Sequence, residues 1–282
     1  MRIANIDGRA TIVVDDHRGI DIARASAGRF GPGLPQLYTD WSDFLGWQQT
    51  AVLPEADVAF DAADLGCPSP APQQVIAVGL NYSAHASESG FDLPEDLPPT
   101  FTKFRSCLAG PEATVQLPRG GNTDWEVELV VVMGREAHHV SDADSWEYVA
   151  GLSVGQDISE RISQLAGPAP QFSLGKSFPN FGPVGPWLVT PDELADRDNL
   201  ELGCAIDGET VQLGRTKDLI FPVSTLIARL SQTITLYPGD VIFSGTPDGV
   251  GLARTPQRFL RPGEKLVSWI EGIGSIHQTF VE

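Results

Sequence analysis

The sequence predicts a β-rich α+β fold, and three observations carry that reading. From Val75 onward, short segments rich in Val, Ile and Leu alternate with Gly and Pro turns. Few stretches show three- and four-residue apolar spacing, so helices are expected to be short and sparse. The chain has 282 residues, 41% of them hydrophobic with no long apolar run, enough for a sizeable core.

In chain order, Ile3 to Val14 reads as two strands joined by Asp7-Gly8, a pair that tolerates the positive φ angles of a tight hairpin turn. Trp41, Phe44, Leu45 and Trp47 are spaced for a short amphipathic helix, with a side-chain oxygen of Thr39-Asp40 expected as its cap. The proline-rich run from Gly66 to Pro72 cannot be helix interior or central strand and reads as a linker. Residues 1–70 are therefore expected to form a small N-terminal α/β appendage and 71–282 the main domain. Strands are expected at Val75–Gly79, Val127–Met133, Leu152–Val154, Leu202–Ile206, Val241–Phe243 and Leu266–Ile270. Val223 to Leu236, opened by Pro222 and closed before Pro238-Gly239, reads as a helix of several turns.

Charge narrows the function. Against 37 Asp and Glu stand 19 Lys and Arg, a net charge of -18, with no basic cluster to neutralise phosphates, so a nucleic-acid partner is not expected. The first residues lack the basic start and apolar stretch of a signal peptide, and no run reaches membrane-spanning length. A cytoplasmic protein without a membrane partner is expected. Cys67, Cys107 and Cys204 are odd in number and far apart, which suits buried hydrophobes better than a disulfide framework.

The first chemical signal is Asp124-Trp-Glu126-Val-Glu128. Side chains alternate faces along a strand, so Glu126 and Glu128 point the same way. If the strand is buried, two like charges on one face call for a cation; at a solvated strand end they need none. Gly151 to Asp157 reads as a second buried strand ending in an acid, and Asp157 would complete an all-oxygen set. With no adjacent His or Cys, that set favours Mg²⁺ or Mn²⁺, with Ca²⁺ also possible, over zinc. The second signal is His85 and Glu88, three apart on a short helix after the first main strand. They form either a general-base dyad or a surface ion pair. Ser89 to Pro99 behind them is polar with Gly and Pro, as a covering flap would be. Gly151-Leu-Ser153-Val-Gly155 matches the GxSxG pattern of serine hydrolases, but a strand position for Ser153 fits better because no oxyanion segment accompanies it.

Seven segments then occur in series: GLNYSAHASE (79–88), TKFRSCLAGP (102–111), DWEVEL (124–129), GQDISERISQ (155–164), LGKSFPNFGPVGPW (174–187), SGTPDGVG (244–251) and IEGIG (270–274). Together they resemble the fumarylacetoacetate hydrolase family from about Val75 to the C-terminus. The resemblance implies a mixed β-sheet roll with short helices, a homodimer, and a Mg²⁺ or Mn²⁺ held by Glu126, Glu128 and Asp157 that chelates a 2-oxo acid as a Lewis acid. It implies that His85 and Glu88 activate water from a lid helix and that Lys176 stabilises an enolate beside the metal. Arg161, Gln164 and Thr246 match positions that face the substrate, and Lys103 is expected nearby to offset the acidic charge. Arg161 could instead pair with Glu160. Two departures bear on substrate choice: Pro179-Asn180 where relatives carry an Asp, and Glu160 where a small residue is usual.

The expected activity is metal-dependent hydrolysis of a C–C bond in a 2,4-dioxo acid of the acylpyruvate or fumarylpyruvate type, of the kind met in aromatic catabolism. The alternative on the same site is decarboxylation or isomerisation and tautomerisation of a 2-oxo dicarboxylic acid such as oxaloacetate. A non-enzymatic protein with a structural ion is disfavoured, since such a site has no use for His85, Glu88 and Lys176.

Overall fold

Asp7 and Gly8 lie at φ 49° and 80° and fold Arg2–Ile6 against Arg9–Asp15 as the expected hairpin. The structure, a computed structural model, describes residues 1–84 and 96–282. From the hairpin one mixed sheet grows across the described residues. Its strand order is Val58–Ala59, Arg18–Asp21, Arg9–Asp15, Arg2–Ile6, Gly182–Val189, Val149–Gln156, Val127–Met133, Val241–Phe243, Val75–Val78 and Thr100–Thr102. Residues 1–70 thus extend the same sheet as the rest, through Arg2 and Ile3 paired with Val189 and Leu188. A second sheet runs Glu209–Arg215, Glu201–Ile206, Lys265–Ile270, Gly274–Val281, Glu112–Gln116.

Strand Val127–Met133 shows why the layers stack as they do. All seven residues are buried, and the alternation of a strand divides them between two cores. Val127, Leu129, Val131 and Met133 pack toward the second sheet with Leu202, Cys204, Leu266 and Phe280. Val130 and Val132 face the N-terminal helices through Leu34, Tyr38, Trp41 and Phe44. A strand apolar on both sides is what a sheet covered on both faces requires.

Several local expectations change. The helix Trp41–Gln48 forms, but Asp40 makes no side-chain cap. A second helix, Leu34–Thr39, ends immediately before it, and the Asp40 amide closes that helix instead. The later helix stops at Ser231, not Leu236. Beyond it, Leu236 exchanges two backbone hydrogen bonds with Ala137, at 2.9 and 3.0 Å, which draws the chain out of helical geometry. The proline-rich run is packed and bonded: Cys67 O accepts from Asn5, Pro68 O from the Tyr38 hydroxyl, and Ser69 Oγ donates to Gly239 O. Ser153 lies inside strand Val149–Gln156, fully buried, its one hydroxyl proton shared between Gly185 O and Trp187 O at 2.9 and 3.0 Å, so it is no nucleophile. All three cysteines are free and buried, and burial pushes the Cys67 thiol up to about 12. Among the described residues, no helix is long and apolar enough to cross a membrane.

Candidate active site

The acids meet where two neighbouring strands end. Val127 pairs with Gln156, which leaves Glu126 and Asp157 one residue beyond the ladder on adjacent strands. Asp157 N donates to Glu126 O at 2.9 Å, and the Glu126 amide donates to Gln156 Oε1 at 2.8 Å, so both backbones are fixed. Glu128 follows on the same face and accepts from Gly245 N at 2.7 Å. Gly245 reaches it at φ +104°, in a corner where a Cβ would stand 2.7 Å from that of Asn81. Carboxylate oxygens of Glu126, Glu128 and Asp157 lie within 4.8 Å of one another, and all three residues are buried.

Buried cations answer them. Lys176 Nζ donates to Glu126 Oε2 and Asp157 Oδ2, both at 2.7 Å. Lys103 Nζ donates to Asp157 Oδ1 at 2.7 Å, and Arg161 Nη2 lies 2.8 Å from Glu126 Oε1. Burial alone would lower the Lys176 pKa, but Asp157 and Glu126 outweigh it and hold the ammonium above its ordinary value. Burial and the charges of Asp157 and Glu126 push the Glu128 carboxyl well above the usual range, against the pull of Lys176 and the Gly245 amide.

Part of this cluster lines a cleft of about 440 Å³. Glu126, Glu128, Arg161, Gln164, Lys176 and Thr246 line it, with Phe101, Phe172, Leu165, Val250 and Leu252 as apolar wall. Lys176 enters because two short helices, Arg161–Gln164 and Phe172–Gly175, pack closely. A Cβ at Gly175 would sit 2.5 Å from Gln164 N. Thr246 is held from behind, donating to Val127 O and accepting from Gln212 Nε2, each at 2.9 Å. Lys103 departs from its expected place: fully buried behind Asp157, it spends its ammonium on that acid and on the carbonyls of Lys176 and Phe181, away from the cleft lining. Asp157 is likewise covered, by the two lysines. His85, Glu88 and the greater part of the Ser89–Pro99 flap lie outside the described residues.

The departures from the family pattern fall away from the cleft. Glu160 is the N-cap of helix Arg161–Gln164, accepting from Ile162 N and Ser163 N, and also takes Asn122 N. It does not pair with Arg161, whose partners are Asp124 and Glu126. Pro179 is exposed in a turn, and Asn180 follows at φ 63°. Sequence reasoning passed over Asp124, Gln156 and Gln212. Asp124 continues the two-residue period of Glu126 and Glu128, a signal present in the motif. Gln212, whose Oε1 accepts from Val127 N at 3.0 Å, acts across 85 positions and has no local signature.

Four buried carboxylates, Asp124, Glu126, Glu128 and Asp157, face three buried cations, Lys103, Arg161 and Lys176. With Glu128 ionised, that is one negative charge more than the cations offset, and burial together with this imbalance pushes the Glu128 carboxyl up. The Lys176 ammonium already bridges oxygens of two of the three converging acids, so those oxygens are aimed at a positive centre. An all-carboxylate donor set with surplus charge fits a hard divalent cation.

Comparison with known proteins identifies the family. The family model "Fumarylacetoacetate (FAA) hydrolase C-terminal" matches residues 74–281. Human oxaloacetate tautomerase FAHD2A, a mitochondrial protein, is 38% identical over 283 residues, covering 95% of this chain and 88% of the relative. A Mycobacterium smegmatis crystal structure carrying the HpcE name is 57% identical, with a TM-score of 0.95 over 100% of this chain and 99% of that one. Maleylpyruvate hydrolase of Sphingobium sp. SYK-6, solved with manganese(II) and pyruvate, is 27% identical, with a TM-score of 0.76 over 100% and 99%. Matched by the family model over residues 74–281 and by a relative 38% identical along 95% of its length, the chain belongs to the fumarylacetoacetate hydrolase family.

Proposed function

We propose that this protein is a divalent-metal-dependent enzyme that interconverts the keto and enol forms of a 2-oxo acid, oxaloacetate being the favoured substrate. The observation that carries the reading is the buried cluster of Glu126, Glu128 and Asp157 bridged by a charged Lys176, in a chain similar over 95% of its length to an oxaloacetate tautomerase. Held by those three acids, Mg²⁺ or Mn²⁺ would supply positive charge that stabilises an enolate oxygen. Lys176, protonated at this site, is the chain's own donor to that oxygen as charge develops there. Arg161 and Gln164 line the cleft beside it and orient the acid. Tautomerisation moves one proton from carbon to oxygen and needs no water.

The second reading is hydrolysis of a 2,4-dioxo acid, in which water adds to the distal carbonyl and pyruvate leaves. It is supported by the shared fold of maleylpyruvate hydrolase and by the His85 and Glu88 of the family motif. One product panel separates the two. Enol-rich oxaloacetate, followed by ultraviolet absorbance, should relax to equilibrium faster with enzyme and Mn²⁺, without release of carbon dioxide. Acetylpyruvate should yield no acetate. Rapid formation of acetate and pyruvate, with oxaloacetate relaxing at its spontaneous rate, would replace the tautomerase with the hydrolase, and carbon dioxide as the sole product would replace both with a decarboxylase.

A further inference from the structure

We propose that Asp124, which carries none of the roles assigned above, is a positioning residue. Its carboxylate holds Arg161 so that Gln164 turns its amide nitrogen to the cleft, and it anchors the neighbouring Val250–Ala253 wall. The inference rests on reading the cleft as a 2-oxo acid site.

Asp124 is fully buried, and both of its oxygens are engaged. Oδ2 accepts from Arg161 Nε and Nη2 at 2.9 and 2.7 Å and from Leu252 N at 2.8 Å. Oδ1 accepts from Trp125 N at 2.8 Å and Gly251 N at 2.7 Å. The amides of Gly251 and Leu252 come this close because position 251 has no side chain. A Cβ there would stand 1.9 Å from Arg258 O and 2.7 Å from Asp124 Oδ1. Leu252 and Ala253 then line the cleft. One carboxylate thus ties the wall to the guanidinium.

The guanidinium passes the constraint on. With Nε and Nη2 fixed on Asp124, Nη1 meets Gln164 Oε1 at 2.9 Å. A guanidinium only donates, so the oxygen of the amide must face it; the flipped amide would set N–H against N–H. Gln164 is buried apart from the cleft it lines, and its Nε2 has no hydrogen-bond partner among the described residues. The cleft is therefore offered two N–H donors suited to an acceptor oxygen, such as the carboxylate of a 2-oxo acid. Without Asp124 the guanidinium is free to tilt, and the amide orientation is no longer dictated.

Oxalate binding to Mn²⁺-loaded protein, measured by calorimetry, tests the relay. Asp124→Asn and Gln164→Glu should each bind oxalate about tenfold more weakly, and the double variant no more weakly than the worse single one, because the two act in one chain. Gln164→Glu keeps an acceptor for Arg161 and removes both donors, so it probes the relay even if Asp124→Asn fails to fold. Wild-type affinity in Gln164→Glu, or multiplicative losses in the double variant, would overturn the relay and leave Asp124 a purely structural residue. If the wild-type protein itself binds no oxalate, the 2-oxo acid reading falls, and with it the purpose assigned to the relay.

Discussion

Lys103 shows how a residue can matter to the site without facing it. Its removal exposes a fully buried Asp157 to Lys176 alone, and breaking a buried ion pair costs about 3–5 kcal/mol. Lys103→Met should therefore lower metal-free stability by about that amount in a denaturant titration. Mn²⁺ should restore part of it, by supplying the missing positive charge to the native state only. Equal stability of variant and wild type would remove Lys103 from the electrostatics of the site. At the same scale the acids were legible from period-two spacing, which placed Glu126 and Glu128 on one face. What the spacing does not carry is direction: Asp124 shares the period but turns to Arg161, 37 positions on, and Lys103 is separated from Asp157 by 54.

Among the elements, Ser153 and Asp21 make contrasting cases. The GxSxG pattern coincides with a strand because Gly151 and Gly155 serve packing: a Cβ at Gly155 would lie 2.4 Å from Val130 Cγ2, and one at Gly151 2.6 Å from Leu188 Cγ. Ser153→Ala should cost about 1 kcal/mol in urea unfolding through loss of the hydroxyl that Gly185 O and Trp187 O share, with turnover unchanged. A variant that is stable but inactive would revive a nucleophilic role. Asp21 caps the short helix Ile22–Ala25 and accepts from Arg9. Burial raises its pKa, but the Arg9 hydrogen bond and the Arg24 amide outweigh that and hold it below the ordinary value. A depressed native pKa gives stability that is present above the unfolded value of about 3.9 and is lost as pH falls through the native one. The urea midpoint should thus drop in that acid window, and Asp21→Asn should flatten this component. An unaltered pH profile in the variant would refute it. Neither the four-residue helix nor its cap was expected from sequence, since one turn leaves no periodicity to read.

For the whole molecule, the β-rich α+β class was legible from the frequency of short strands. Its topology was not, because neighbours such as Arg2–Ile6 and Gly182–Val189 lie far apart in sequence. The proline-rich run illustrates the same limit. Composition excludes regular structure there but does not reveal that Ser69 hydrogen-bonds Gly239, 170 positions away. We propose from the family resemblance that the protein is a homodimer. Sedimentation should return a species of twice the 30.3 kDa chain mass, and a single 30.3 kDa species across concentrations would oppose this. The molecule carries a net charge of -18, so the anionic substrate proposed for it requires local positive charge, which a divalent cation beside Lys176 and Arg161 would supply. The most direct measurement is therefore a Mn²⁺ titration of chelator-stripped protein, wild type and Glu128→Gln, with ion binding followed by electron paramagnetic resonance and oxaloacetate tautomerisation followed in the same samples. One ion per chain, activity rising in proportion to occupancy, and loss of both in the variant are the expected result. Tautomerisation by the stripped protein at the full rate, or tight Mn²⁺ binding that survives in Glu128→Gln, would contradict the three-carboxylate centre.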